Sequence, residues 1–341
     1  MSTFDNLSPE HQGVHLKELA QRSLRHWGLE GSDLSLVKYR ENAVYQVSAG
    51  DGERYALRIH RHGYHSLAAL QSELQWMAAL NDSGIAVPEV LPTTDGRLLV
   101  SESTEVIMAP RHVDLFAWID GSPLGSEEEG LGDNAEHVDK LYAELGRTAA
   151  ELHNQASQWE LPEGFERHAW DHEGLVGEAP FWGRFWELEL LDDSQRRLLE
   201  TARDRISREL SEYDRSPQRY SLIHADFVPE NLMADNGRLR LIDFDDAGFG
   251  WHMFELATAL YFIQEEPCYP VARQALIDGY RQRRALSDGD LDRLELFLTA
   301  RACTYLGWIR SRQETHTARE LAPDLIRRAC EQAERYLAAS P

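Results

Sequence analysis

Behind Ser8-Pro9-Glu10, a good helix start, Leu16, Leu19, Ala20, Leu24 and Trp27 recur at helical spacing, and Gly28 and Gly31 follow. The spacing predicts a helix over 8–28. Three strand-like runs come next: "LSLVKYR" (34–40), "AVYQVSA" (43–49) and "RYALRIH" (54–60). Gly50-Asp51-Gly52 between the second and third reads as a hairpin turn. "SLAALQSELQWMAALNDSG" (66–84) carries one apolar face and a stop at Gly84, so a helix is expected there. "RLLVSES" (97–103), "EVIMAP" (105–110) and "HVDLFAWI" (112–119) look like further strands. Residues 33–119 therefore predict a small, mostly antiparallel sheet with one helix laid across it.

The pattern breaks at "DGSPLGSEEEGLGDNAE", whose glycines and acid run mark a solvated loop or linker. Helical periodicity dominates from Ala135 onward, in 135–159 and 194–213. One hairpin follows, "YSLIHADFVPENLMADNGRLRLIDFDDAG", with Asn236-Gly237 at its turn, and helices resume from "MFELATALYFIQ" through "DLDRLELFLTARACTYLGWIRSR" to the end. No internal repeat or low-complexity segment interrupts this. The expected class is α+β, with a β-rich N-lobe over 1–119 and a helical C-lobe over 120–341 that carries the hairpin at its cleft edge.

Composition sharpens the picture. A chain of 341 residues with 42% hydrophobic content suits two lobes sharing a cleft, where ligands commonly bind. Lys+Arg 35 against Asp+Glu 58 gives a formal charge of −23. Such a surface repels phosphate backbones and anionic lipid, so neither nucleic acid nor membrane is an expected partner. It suits a cationic substrate, although an acidic surface is ordinarily just solvated. Lysine occurs only at Lys17, Lys38 and Lys140, so arginine supplies nearly all positive charge. Cys268, Cys303 and Cys330 are scattered, with no C-x-x-C pair, which argues against a disulfide framework or zinc site. The polar start "MSTFDNLSPEHQ" has no apolar signal core, and no run reaches the ~20 apolar residues of a membrane helix. A cytoplasmic protein is expected.

The hairpin holds the candidate chemistry. Moving a phosphoryl group needs metal ions on the phosphate oxygens, cations to hold them and a carboxylate to orient the acceptor hydroxyl. Magnesium prefers oxygen ligands such as Asp and Asn. "HADFVPEN" places Asp226 and Asn231 five residues apart, and "LIDFD" places Asp243 at the end of the returning strand. With these residues the chain resembles the aminoglycoside phosphotransferase and choline kinase-like family, whose fold is that of protein kinases, over about residues 30 to 310. The resemblance implies ATP and Mg2+ as cofactors. It also implies Asp226 as the catalytic aspartate, Asn231 and Asp243 as metal ligands, and His224 as a brace for the loop.

The same resemblance assigns the nucleotide side. Arg58 in "YALRIH" stands where the family has a basic residue on the third strand touching the nucleotide phosphates, and Glu73 in "LQSELQW" is its helix partner. Arginine grips phosphate in a bidentate way, so its use in place of lysine is chemically sound. Ala56 leaves room for adenine. The backbone of Ala117 and Ile119 in "LFAWIDG" matches the segment that pairs with the adenine edge. One departure is plain: "YRENAVYQV" has no glycine where protein kinases have a glycine-rich loop. Backbone N–H groups around Glu41–Val44, with the Asn42 amide, are the expected substitute.

The short gap from Asp243 to "FELATALYF" leaves no room for a phosphorylated activation segment, and no A-P-E follows. A small hydroxylated acceptor is favoured: homoserine-like, choline- or ethanolamine-like, aminoglycoside-like or another amino alcohol. The alternatives are a bacterial stress-response-type protein serine/threonine kinase and a non-catalytic nucleotide binder. Trp170, Phe181, Trp182, Phe185 and Trp186, with Trp251, Tyr305 and Trp308, offer either a wall for a substrate ammonium or ordinary helix packing. Asp245 and Asp246 suit a substrate amine or a helix cap. His60, His62 and His65 read as an exposed strand end rather than a metal site.

Overall fold

The computed structural model describes residues 4–39, 42–123, 134–235 and 238–339. Glu41, the acid run over 124–133 and the Asn236-Gly237 turn lie outside the described residues. In chain order the elements are α1 (Pro9–Ser23), β1 (Asp33–Tyr39), β2 (Ala43–Ser48), β3 (Arg54–Ile59), α2 (Leu67–Asp82), β4 (Leu99–Glu102), β5 (Arg111–Ala117), β6 (Ser122–Pro123), α3 (Ala135–Ala156), β7 (Ala169–Trp170) and α4 (His172–Val176). They continue with α5 (Asp193–Glu212), β8 (Tyr220–Ile223), β9 (Leu232–Asp235), β10 (Arg238–Leu241), β11 (Gly248–Trp251), α6 (His252–Tyr261), α7 (Tyr269–Arg281), α8 (Asp288–Leu291), α9 (Leu294–Ser311) and α10 (His316–Ala338).

Two compact units share this chain. The first gathers Met1–Ser122 with Leu161–Glu166 and Met233–Ile242. Its main sheet has the order β1-β2-β3-β5-β4, every pair antiparallel. Ser8 caps α1, as its place before Pro9 predicts, and Leu16, Leu19 and Ala20 pack into one core with Val47, Leu57, Ile59 and Val113 of the sheet. Strand β3 is buried at Leu57, Arg58 and Ile59 alike, because Arg58, pointing away from that core, meets Glu73 of α2. The expected strand over 105–110 is absent. Thr104 N–H bonds Ile107 O, and the Thr104 hydroxyl takes Ile107 N–H, so this segment is the bend joining β4 to β5. Two later segments join this unit. Glu166 is tied to α2 through Ser66 and Ser72, and Leu241 of β10 donates to Ala86 O. The hairpin strands thus group with the sheet-rich unit, whereas Asn231 and Asp243 at their two outer ends belong to the second.

The second unit, Pro123–Glu160 with Arg167–Leu232 and Asp243–Pro341, is mainly helical. Helices α6 and α9 are buried along almost their whole length, which explains why both read as continuous apolar runs rather than amphipathic stripes. Helices α3 and α7 approach so closely that a Cβ on Gly146 would lie 2.1 Å from Leu276 O. A small sheet, β7-β11-β8, supports the loop that leaves β8.

Candidate active site

Strand β8 ends at Ile223, and the next three residues turn sharply. Ala225 has φ 63°, the left-handed region that an L-residue enters at a cost of about 1–2 kcal/mol. Glu255 of α6 supports the turn. Its fully buried carboxylate accepts His224 N–H on Oε1 and Ala225 N–H on Oε2, both at 2.7 Å. Hydrogen bonds to a charged group contribute about 1.5–3 kcal/mol each, enough to offset the strain. Burial pushes the Glu255 carboxyl up, while His224 and the two amides pull it down. His224 accepts Asp226 N–H on Nδ1 and packs edge-on against Phe244.

Asp226 then receives a partner on each carboxylate oxygen. Asn231 Nδ2 donates to Oδ2 at 2.6 Å and to the Asp226 carbonyl at 3.0 Å. Arg301 Nη2 of α9 donates to Oδ1 at 3.1 Å. The side chain keeps 24% of its surface open. Loss of hydration among its neighbours pushes the Asp226 carboxyl up to about 7; Arg301 opposes this, Asp246 and Asp243 add to it, and the Asn231 hydrogen bond opposes it. A carboxylate of that basicity suits proton acceptance near neutral pH.

Asp243 stands just past β10, exposed, with φ 65°. The loop behind it is clamped by the 167–170 segment. Arg167 donates to the carbonyls of Phe244, Asp245 and Ala247, and His168 and Trp170 donate to that of Asp246. Asp245 is buried, whereas Asp246 is half-buried and near enough to act on both Asp226 and Arg301. The donors fit a hard cation. Both Asn231 amide N–H bonds run to Asp226, so the amide oxygen is not spent on Asp226 and has the donor chemistry of a metal ligand, as has the Asp243 carboxylate. Among the described residues no cluster of three or more His, Cys, Asp or Glu suggests a different kind of metal site.

The aromatic residues sort differently from the expected substrate wall. Trp170 and Phe185 are fully buried, and so is Trp251, which packs with Tyr213, Tyr220 and Phe297. Trp251 is therefore core and presents no surface to an acceptor. The faces of Trp182 and Tyr305 hold the Arg301 guanidinium, at 5.0 and 4.3 Å, and it is Arg301 that contacts Asp226. Trp308 is half-buried with the Arg312 guanidinium over its ring.

In the first unit, Arg58 is nearly buried. Nη2 donates to Glu73 Oε1 at 2.8 Å and to Asp114 Oδ2 at 2.7 Å, and Nε donates to Asp114 Oδ1 at 3.1 Å. Asp114, which the sequence reading passed over, thus holds the fork of the guanidinium. It also bonds His60 at 2.8 Å, so His60 is buried in an ion-pair cluster and not at an exposed strand end. Burial opposes ionisation of Asp114, yet the charges of Arg58 and His60 keep its carboxyl well below the usual range. Asn42 accepts Arg61 N–H, pinning the start of β2 to the end of β3. Ala56, half-buried on β3, pairs with Phe116. Ala117 N–H is spent on Glu89 O and Trp118 N–H on Arg54 O; Ile119 lies just beyond.

Arg301, Glu255, Arg167 and Asp114 were not singled out from sequence. Three carried a signal: Glu255, Arg301 and Asp114 are charged residues inside otherwise apolar runs, and a buried charge needs a partner.

An aspartate carboxylate braced by an asparagine amide, with a second aspartate at the far end of a hairpin, sits in a protein-kinase-like fold. The chain belongs to the phosphotransferase enzyme family (APH), which matches residues 36–297. It is similar to the microcompartment-associated aminopropanol kinase, at 35% identity and a TM-score of 0.82, over 94% of this chain and 98% of that one. It also resembles the amicoumacin kinase of Bacillus subtilis (strain 168), 23% identical over 92% of this chain and 90% of the relative. The structure of an amicoumacin kinase in complex with AMP-PNP, Ca2+ and Ami shares the fold, at 19% identity and a TM-score of 0.73, covering 96% and 94% of the two chains. The chain is an ATP-using phosphotransferase with a small-molecule alcohol as acceptor, and the protein-kinase alternative is not favoured.

Proposed function

We propose that this enzyme transfers the γ-phosphoryl group of ATP to the hydroxyl of a short amino alcohol of the aminopropanol type. The likeness to the aminopropanol kinase over nearly the whole of both chains supports that acceptor class above all. Half-buried Asp246, close to the base, suits the acceptor's ammonium; the aromatic faces beside the base are already taken by Arg301. Asp226 accepts the hydroxyl proton, the freed oxygen bonds to the γ-phosphorus, and the bond to the β-phosphate oxygen breaks to release ADP. Asn231 and Asp243 hold Mg2+, which supplies neutralisation of phosphate charge when bound. Arg58, kept in place by Glu73 and Asp114, faces the nucleotide phosphates with Asn42 at the start of β2. Ala56 flanks the adenine, and the backbone past Ala117, at Ile119, pairs with its edge. The acidic surface disfavours phosphate backbones and anionic lipid, so neither nucleic acid nor membrane is a proposed partner.

The test is an ADP-release screen over 1-amino-2-propanol, ethanolamine, choline, homoserine and an aminoglycoside, with the wild type and Asp226→Asn. Turnover highest on the primary amino alcohols, and lost in the variant with ATP binding intact, is the expected result. Equal turnover in D226N would refute the base assignment. Preference for choline would refute the acceptor class.

A further inference from the structure

Arg301 stands out as an expensive way to fill the core. Its side chain is fully buried in α9, stacked against Trp182, Phe254 and Tyr305. Only Nη2 is engaged, with Asp226 Oδ1 at 3.1 Å and the Tyr305 hydroxyl at 2.8 Å; Nε and Nη1 are buried with no hydrogen-bond partner. A guanidinium so placed forfeits hydration without regaining it, and an apolar side chain of similar volume would pack the same aromatic surround better. Stability alone therefore does not account for it. Its one well-used edge is directed at the carboxylate whose orientation the reaction depends on.

We propose that Arg301 is a positioning residue for phosphoryl transfer. It fixes Asp226 Oδ1 while Asn231 fixes Oδ2, so that the carboxylate keeps one rotamer with its open surface turned toward the acceptor hydroxyl. A carboxylate has room for about four hydrogen bonds, so these two leave positions for the acceptor. Tyr305 anchors the guanidinium one helical turn farther along α9 and stops it from sliding out of the stack. The proposal rests on Asp226 being the base.

The experiment compares Arg301→Met, Tyr305→Phe and Asp226→Ala with the wild type, using 1-amino-2-propanol as acceptor. Active sites are counted by ATP binding, so that kcat is expressed per folded molecule. Loosening a reacting group by about 1 Å costs on the order of 100-fold in rate. For R301M the expected result is a kcat lower by about that factor, with KM for ATP within about twofold of wild type. For Y305F a smaller loss with the same split is expected. A wild-type kcat in R301M overturns the proposal, as does a loss matched by a rise in KM for ATP, the mark of a general structural defect. If R301M does not fold, Y305F decides: a lowered kcat with unchanged KM supports the role, and a wild-type kcat refutes it. D226A separates the two layers. Turnover retained there means the base reading has failed. Turnover lost there, with R301M at wild-type rate, means that only the role of Arg301 has failed.

Discussion

At the residue scale, Asp226 and Arg58, the two charges assigned to the reaction in the proposal, are each held by a buried opposite charge. Arg58 illustrates the energetics. Removing one partner of a buried ion pair costs about 3–5 kcal/mol, because the remaining charge stays desolvated. Asp114→Asn is therefore expected to lower stability by about that amount, measured by urea unfolding, with KM for ATP rising as the fork of Arg58 loosens. The effect has a pH signature. The folded Asp114 carboxyl lies below its unfolded value of about 3.9, so the unfolded state binds more protons and this contribution to stability rises with pH. It is fully present above about pH 4 and is lost as pH falls toward the folded value. The gap between wild type and D114N should narrow in acid; a gap constant from pH 7 to pH 3 would contradict the ion-pair account. Arg58 and Glu73 were legible in sequence through the family resemblance, which matches both to known positions on the third strand and the helix after it. Asp114 was not, since 56 residues separate it from Arg58.

At the scale of elements, strained loops lean on rigid helices. Glu255 holds the His224 and Ala225 amides together, one on each oxygen. A glutamine there offers a single acceptor and turns an NH2 group toward a backbone N–H. Glu255→Gln should cut kcat about tenfold or more, with ATP affinity little changed, as steady-state kinetics would register. The α3–α7 contact makes a separate, purely structural prediction. A Cβ at Gly279 would lie 2.0 Å from Ala143 O, closer than any real contact. Alanine gains about 1 kcal/mol over glycine in helix propensity, but overpacking costs about 1–3 kcal/mol. Gly279→Ala should therefore be destabilising on balance in guanidinium unfolding. Gly13→Ala in α1, where nothing lies within 4 Å of the added carbon, should instead stabilise by up to about 1 kcal/mol. The reverse order would mean that helix packing is not the controlling term. Sequence periodicity located α3, and α7 falls in the stretch read only as helical to the end, with no sign that their backbones nearly touch.

At the scale of the whole molecule, acid is the expected weakness. His153 and His252 stack at 4.1 Å inside the helical unit, and burial, with the Arg284 charge, holds both well below the usual imidazole range. The groups around them are Tyr280, Ser221, the Gln218 carbonyl, Glu255, Arg284 and Asp290. The folded state keeps both rings neutral while the unfolded state protonates them near pH 6.5, so stability is full above that pH and falls below it, by about 1.4 kcal/mol per pH unit for each ring. Tm measured from pH 7.5 to 5 should drop steadily, and His252→Gln should flatten the slope; an unchanged slope would remove these rings from the account. No helix among the described residues is long and apolar enough to cross a membrane. The sequence by itself determined what is local: most strands and helices, though not the bend over 105–110, the five-residue spacing of Asp226 and Asn231, and the hairpin whose returning strand leads to Asp243. Those follow from periodicity and turn chemistry within a few residues. The tertiary structure alone decided who supports them, because Arg301, Glu255 and Arg167 reach their partners across separations of 75, 30 and 77 residues. It also decided that Trp170 and Trp251 are core and that the faces of Trp182 and Tyr305 carry the protein's own Arg301 cation. A lone charge in an apolar run announces that it needs a partner, and only folding chooses which one.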